Sequence, residues 1–382
     1  MNNKRKHGNI LLVANYESSV GYAWWLMDNF WVEIARYCTC RKQKVYLIYP
    51  KVRDISEQIR KGNITVSEHD FSDRSKESLV QLKRIVINNN IRSVYLTDRP
   101  YFDLLYMKLR KWGVRSIVLH DHTPGERSKP SFLKKYVKQC IYSIPGITCD
   151  LYIGVSKFVY NRFLTSGCLP KSKCSYVLNG IVPIDIKKIN KNAVHDEYNL
   201  PEDAVIIVTT GRATYYKGID FIIKCANILI NHYKLSNAYF LHIGDGPNLQ
   251  DFKNEANLYG LKNKFIFAGQ RDDVRRLLQS CHIGIQASKG EAFSLSILEY
   301  MSAGLATVVP DHCGNREAIT NSENGVLYTP GDLESIVDIL RDLMNNQEKR
   351  QLLGKCAIST IKDKFDIRNT NANFINCIKD KL

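Results

Sequence analysis

The chain has 382 residues, 44% hydrophobic and 24% charged, a balance that supplies sizeable cores and excludes a disordered or fibrous protein. At this length two domains are expected. Lys and Arg number 54 against 38 Asp and Glu, for a net charge of +16, which favours anionic partners: nucleic acid, an anionic membrane surface or a phosphorylated substrate. The eleven cysteines include no C-x-x-C and no metal-finger repeat, Cys38 and Cys40 being the nearest pair. That argues against a structural zinc site or a disulfide framework and fits a reducing cytosol. Cys225 and Cys281 fall in apolar runs read as helical, where a free thiol behaves as a small hydrophobe.

The start of the chain, Met1 to His7, is basic and leads into a short apolar run over 10–14, too brief for a signal peptide or a transmembrane helix. A cytoplasmic protein, soluble or peripheral, is expected. Apolar runs of strand length then alternate with helical periodicity: Ile10-Leu11-Leu12-Val13, 44–49, 93–96, 116–119 and 151–155. Continuous rather than alternating apolar strands mean burial on both faces, hence a parallel sheet between helices. The signal lapses between Asp185 and Asp203, where the polar stretch 187–192 reads as an interdomain linker. It restarts at 204–208, 238–244, 265–269, 283–285 and 306–309. The expectation is an α/β protein of two doubly wound, Rossmann-like domains facing a central cleft. Their bounds are 1–186 and 203–364, with a linker over 187–202 and a C-terminal helix over 365–382 that could cross back to the first domain.

In doubly wound folds ligands bind beyond the carboxyl ends of strands, so the residues following each strand are the ones to read. After 204–208 comes Gly211-Arg212-Ala213-Thr214-Tyr215-Tyr216-Lys217-Gly218. A glycine turns the backbone off the strand, and Arg212 and Lys217 can converge on one anion; taken alone, they read equally well as solvated loop charges. After a strand placed over 282–287 comes Gly290-Glu291-Ala292-Phe293-Ser294-Leu295-Ser296-Ile297-Leu298-Glu299. Leu295, Leu298 and Met301 recur at helical spacing, so a helix starts near Ser294, with Glu291 in the loop before it and Glu299 one to two turns in. Both carboxylates can then face one cleft, with the free N–H groups around 293–296 as an anion site between them.

These segments, together with Gly244-Asp245-Gly246-Pro247, resemble the GT-B glycosyltransferases of family 4, a group rich in bacterial surface-polysaccharide enzymes; the motifs occur in family order over about half the chain. The resemblance implies a sugar nucleotide, UDP- or GDP-linked, bound mainly by the C-terminal domain. It also implies an acceptor-binding N-terminal domain, transfer with retention of anomeric configuration, and no essential metal or other cofactor. No Asp-x-Asp occurs in the chain. Carried over residue by residue, the resemblance makes Arg212 and Lys217 diphosphate ligands, with Gly211 beside them in the donor site, and gives the ribose to Glu299. Donor-sugar hydroxyls fall to Glu291, with main-chain N–H groups of Ala292, Phe293, Ser294, Leu295 and Ser296 completing the cradle. Gly244, Asp245 and Gly246 lie beside the nucleotide, and Gln270-Arg271 meets the base. In the N-terminal half the family's glycine-rich loop keeps only Gly21, followed by Tyr22-Ala23-Trp24-Trp25, which reads as helix core or as an aromatic acceptor platform. A histidine after the strand at 116–119 faces the donor sugar and acceptor in related enzymes; His120 and His122 compete for that role, and period-2 geometry puts both on one face.

Between Arg127 and Ile144 the residues Leu133, Tyr136, Val137, Cys140, Ile141 and Ile144 trace an amphipathic helix, with Arg127, Lys129, Lys134, Lys135 and Lys138 beside it. Its apolar face is expected to pack on the sheet, leaving the lysines for solvent or anionic lipid. With Lys4 to Lys6 this suggests peripheral docking on the cytoplasmic face of the inner membrane, toward a glycan or lipid-linked acceptor of capsule, O-antigen or exopolysaccharide assembly. Nucleic-acid binding is the rival from another class, but the basic residues are spread over both halves and no zinc-finger, RRM or KH motif occurs. A non-hydrolysing epimerase is the nearer rival; it does not call for the E-x7-E segment in this form. A dinucleotide enzyme lacks its G-x-G-x-x-G.

Overall fold

The computed structural model of the protein describes residues 8–19, 25–185 and 192–382. Among them the chain forms two units, Met1–Leu178 with Thr370–Leu382, and Asn179–Asn369. The first is built on seven strands: β1 (Asn9–Val13), β2 (Val45–Tyr49), β3 (Ile64–Glu68), β4 (Ile91–Thr97), β5 (Ser116–Asp121), β6 (Leu151–Gly154) and β7 (Cys174–Tyr176). They pair in the order β3-β2-β1-β4-β5-β6-β7, parallel throughout. The second unit holds β8 (Val205–Thr210), β9 (Ala238–Ile243), β10 (Phe265–Gly269), β11 (Ile283–Ile285), β12 (Ala306–Pro310) and β13 (Val326–Tyr328). Their order is β10-β9-β8-β11-β12-β13, again parallel. Each order reverses once, beside β1 and beside β8, as in a doubly wound sheet.

Continuous hydrophobicity in β8 reflects use of both faces of the sheet. Val205 and Ile207 join one buried cluster, with Phe240, Ile285 and Leu340. Ile206 and Val208 join the opposite one, with Leu241, Leu278 and Tyr300. In the first unit the helix Trp25–Thr39 supplies Phe30 and Trp31, both fully buried. The C-terminal helix Ile367–Ile378 supplies Phe374, whose ring lies 4.5 Å from that of Phe30 and 5.9 Å from that of Tyr95.

Several expectations need correction. Strands β3, β7 and β13 were not foreseen from the pattern; they are short and only partly buried. The stretch assigned to a linker over 187–202 contains a helix, Ala193–Tyr198, whose Val194 is fully buried in the second unit's core; the polar run 187–191 lies outside the described residues. The units divide at 178/179, and Thr370–Leu382 belongs to the first unit. Cys281 lies in the turn before β11, not in a helix. The strand placed over 282–287 is confined to Ile283–Ile285. Trp25 opens a helix and is partly buried, while Trp24 lies outside the described residues. The amphipathic helix forms over Phe132–Ser143 but buries none of its residues, so its apolar face does not pack on the sheet.

Candidate functional site

In the second sheet β8 and β11 are neighbours across the reversal of strand order, the place where doubly wound folds bind ligands. The chain leaves β8 through Gly211, at φ +143°. It then closes a 3-10 turn over Tyr215–Lys217 that ends on Gly218, at φ +70°. A Cβ on Gly218 would lie 2.2 Å from the carbonyl oxygen of Ala287, so only glycine lets this loop press against the one after β11. The two loops are stitched together: Tyr216 Oη donates to Gly290 O at 2.7 Å, and Lys289 N donates to Tyr216 O at 2.9 Å. This brings Lys217 Nζ to 2.6 Å from Glu291 Oε1. Gln286, fully enclosed behind them, donates to the same Glu291 oxygen at 3.3 Å and to Ser294 Oγ at 3.0 Å.

A third loop joins from β9. Gly244 N donates to Gly269 O, and a Cβ on Gly244 would fall 1.9 Å from Gly211 O. Ala213 N donates to Asp245 O, Asn248 N to Ala213 O, and Asp245 Oδ1 accepts from Gly246 N. A Cβ on Gly246 would fall 2.6 Å from Ala213 O. Thus the segments 211–218, 244–248 and 286–294 form one continuous rim. On it Arg212 is exposed, its guanidinium without an ion pair among the described residues.

The helix foreseen near Ser294 runs over Leu295–Ser302 with Ser294 as its N-cap. Its first-turn N–H groups have no partner within the helix and give that end a partial positive charge. Ala292, Phe293 and Ser294 are buried and fix the turn, while Leu295 and Ser296 retain exposed surface. Gly314 N holds Glu291 O at 3.0 Å, and Asn179 Nδ2 holds Phe293 O at 3.2 Å. Glu299 keeps some exposed surface. Desolvation nevertheless pushes its carboxyl up to about 7, against the opposing charge of Arg275.

Of the pair assigned to the base, Gln270 is exposed, whereas the Arg271 guanidinium is committed elsewhere. Its Nη1 lies 2.6 Å from Glu197 Oε1 and its Nε 2.8 Å from Asp273 Oδ1. Hydrogen bonds from Arg271 hold both carboxyls below their ordinary range. What remains for a ligand at this position is the main chain and Gln270.

In the first unit the two histidines follow one another on the same face, ring centroids 4.1 Å apart, but their settings differ. His120 is fully buried, its Nδ1 bonded to Tyr95 Oη at 2.6 Å and its ring stacked 5.7 Å from Phe374. Burial, then the neighbouring His122, push its pKa well below the ordinary value. His122 is partly exposed and stands with Nδ1 3.5 Å from Asp98 Oδ1, while its main-chain N donates to the same oxygen at 2.6 Å. Gly21 lies outside the described residues. The turn carrying His122 is fixed by Arg162, which donates to Asp121 Oδ1, Thr123 Oγ1 and Gly125 O. Gln286, Asp98 and Arg162 were missed in the sequence; Gln286 and Asp98 directly follow strands, a place that could have drawn attention to them, whereas Arg162 lies within the helix Lys157–Thr165 and carries no such signal. Among the described residues no group of three or more His, Cys, Asp or Glu is placed to hold a metal ion.

The two parallel-sheet, Rossmann-like units are those of the GT-B fold. Residues 190–360 match the family model described as Glycosyl transferases group 1. An uncharacterized glycosyltransferase of Methanocaldococcus jannaschii is 24% identical over 233 residues, 59% of this chain and 59% of the relative, so the chain spans less than two thirds of that protein. A Campylobacter jejuni enzyme is 23% identical over 86% of this chain and 89% of its own. It is the N,N'-diacetylbacillosaminyl-diphospho-undecaprenol alpha-1,3-N-acetylgalactosaminyltransferase. Among solved structures, Anabaena HepE in complex with UDP and glucose superposes with a TM-score of 0.76 at 16% identity, over 98% of this chain and all of that one. The second unit is therefore similar to group 1 glycosyl transferases, and the fold of the chain is that of the solved glycosyltransferase structures.

Proposed function

We propose that the protein is a retaining glycosyltransferase of family 4. It moves a hexosyl or related sugar from a UDP- or GDP-linked donor to a glycan or lipid-linked acceptor in surface-polysaccharide assembly, at the cytoplasmic face of a membrane. The observation that carries this reading is the contact of Lys217 with Glu291 beside the exposed Arg212, on a glycine-built rim at the strand-order reversal of the second sheet. A diphosphate entering there meets two cations and the N-terminal end of the Leu295–Ser302 helix, groups that stabilise charge growing on a departing nucleoside diphosphate. Those cations do the work of a divalent ion, so transfer proceeds without metal. Glu291 is then free to accept from donor-sugar hydroxyls, and Glu299 from the ribose.

His122, with Asp98 as its partner, takes the role that His120 cannot fill from the core. The names of the relatives support the substrate class: one acts on a diphospho-undecaprenol acceptor, and a structural neighbour binds UDP and glucose. Incubation with UDP- and GDP-sugars and lipid-diphosphate acceptors in EDTA, with NMR of the product, tests the reading. An α-linked product from an α-linked donor is expected. No transfer from any donor, or an inverted product, contradicts it.

A further inference from the structure

The Phe132–Ser143 helix is mounted with its polar side toward the protein. Lys138 Nζ donates to Ser166 O at 2.5 Å and Tyr142 Oη to Gly167 O at 2.8 Å; Lys138, Ile141 and Tyr142 are its only partly buried residues. The opposite side is apolar and open. Phe132 is 89% exposed, Leu133 71% and Tyr136 61%, and at 100° per residue they share a face with Val137 and Cys140. Phe102 packs its ring 6.0 Å from that of Tyr142, on the side turned to the protein. Contiguous exposed apolar side chains of this size mark an interaction surface.

Charge says what covers it. The segment 127–144 contains Arg127, Lys129, Lys134, Lys135 and Lys138 and no Asp or Glu. A second copy of the chain would bring lysines against lysines. An anionic bilayer instead matches both halves of the helix, since interfacial helices sink Phe, Leu and Tyr among the acyl chains and keep Lys at headgroup level.

We propose that this helix docks the protein on an anionic lipid bilayer, with Phe132, Leu133, Tyr136 and Val137 entering the interface and the flanking lysines binding headgroup phosphates. Lys138 and Tyr142 also line a pocket of about 560 Å³ with Asp98, Arg99, Asp121 and Arg127. The docking helix is therefore also a wall of this pocket, whose Asp98 pairs with His122. This deepens the reading of a lipid-linked acceptor, but docking is measured without turnover.

The test is vesicle flotation of the full chain with phosphatidylglycerol-containing and with pure phosphatidylcholine liposomes, at low and high salt. The variants are Leu133→Asp/Tyr136→Asp and Lys134→Gln/Lys135→Gln. Both pairs are exposed, so unchanged melting temperatures are expected and are measured alongside. The wild type should float with anionic vesicles at low salt, and each double variant should lose about tenfold or more of that binding. Absence of flotation, flotation undiminished by the apolar pair, or a dimer that this pair abolishes overturns the proposal. Nucleotide calorimetry on the same preparation separates the two readings: nucleotide binding without flotation removes docking alone, and flotation without nucleotide binding removes the transferase reading alone.

Discussion

Lys217 Nζ and Glu291 Oε1 meet at 2.6 Å from loops 74 residues apart in sequence. The carboxylate neutralises the lysine, so a diphosphate bound at this rim would compete with Glu291 for the Lys217 ammonium. Lys217→Ala should lower turnover by about 10²-fold or more, because a charged contact to the leaving group is lost, while the melting temperature of this partly exposed site stays near that of the wild type. Single-turnover kinetics on saturating donor measure the effect.

Glu299 links the site to pH. Its folded pKa of about 7 exceeds the ordinary 4.5, so its contribution to stability is complete below about pH 4.5 and is lost as pH rises through about 7. On the proposed reading, in which Glu299 holds the ribose, the hydroxyls donate to the ionised form and nucleotide affinity should move the other way, rising about tenfold between pH 6 and pH 8. Titration calorimetry at the two pH values should show this rise in the wild type and a flat profile in Glu299→Gln.

Gly244 and Gly260 both have positive φ, but their surroundings differ. A methyl group at Gly244 meets Gly211 O, whereas at Gly260 nothing lies within 4 Å. Gly260→Ala should cost only the left-handed backbone term, about 1 kcal/mol. Gly244→Ala must also push apart two ligand loops and should cost about 2 kcal/mol or more, with loss of nucleotide binding. Urea denaturation and calorimetry on the two variants make the comparison.

Arg162 and Asp121 are side chains buried to within 3% and 2% exposure, 3.2 Å apart. Removing the guanidinium leaves the buried Asp121 to Arg127 at 4.0 Å and the Tyr101 hydroxyl at 2.8 Å, so Arg162→Met should destabilise the first unit by about 3 kcal/mol. Equilibrium unfolding followed by a probe in that unit is the measurement.

The sequence made the central strands of both sheets legible because strands such as β1 and β8 are apolar on both faces, a pattern that surface segments do not imitate. Strands β3, β7 and β13 escaped because edge strands bury too little to leave that mark. The Phe132–Ser143 helix shows the limit of periodicity: spacing revealed an apolar face but not which way it turns. The glycines and acidic residues of the rim could be picked out because strand ends are where such folds place ligands. The commitment of Arg271 to Glu197 and Asp273, and the sealing of His120 behind Tyr95 and Phe374, arise from tertiary contacts with no local signature.

The most direct measurement is titration calorimetry of UDP and GDP in EDTA against the wild type and Arg212→Ala/Lys217→Ala. One nucleotide should bind the wild type without metal, and the double variant should bind it at least about tenfold more weakly, as expected when two charged contacts to the diphosphate are removed. Absence of binding by either nucleotide to the folded wild type, or equal binding to the double variant, would contradict the account.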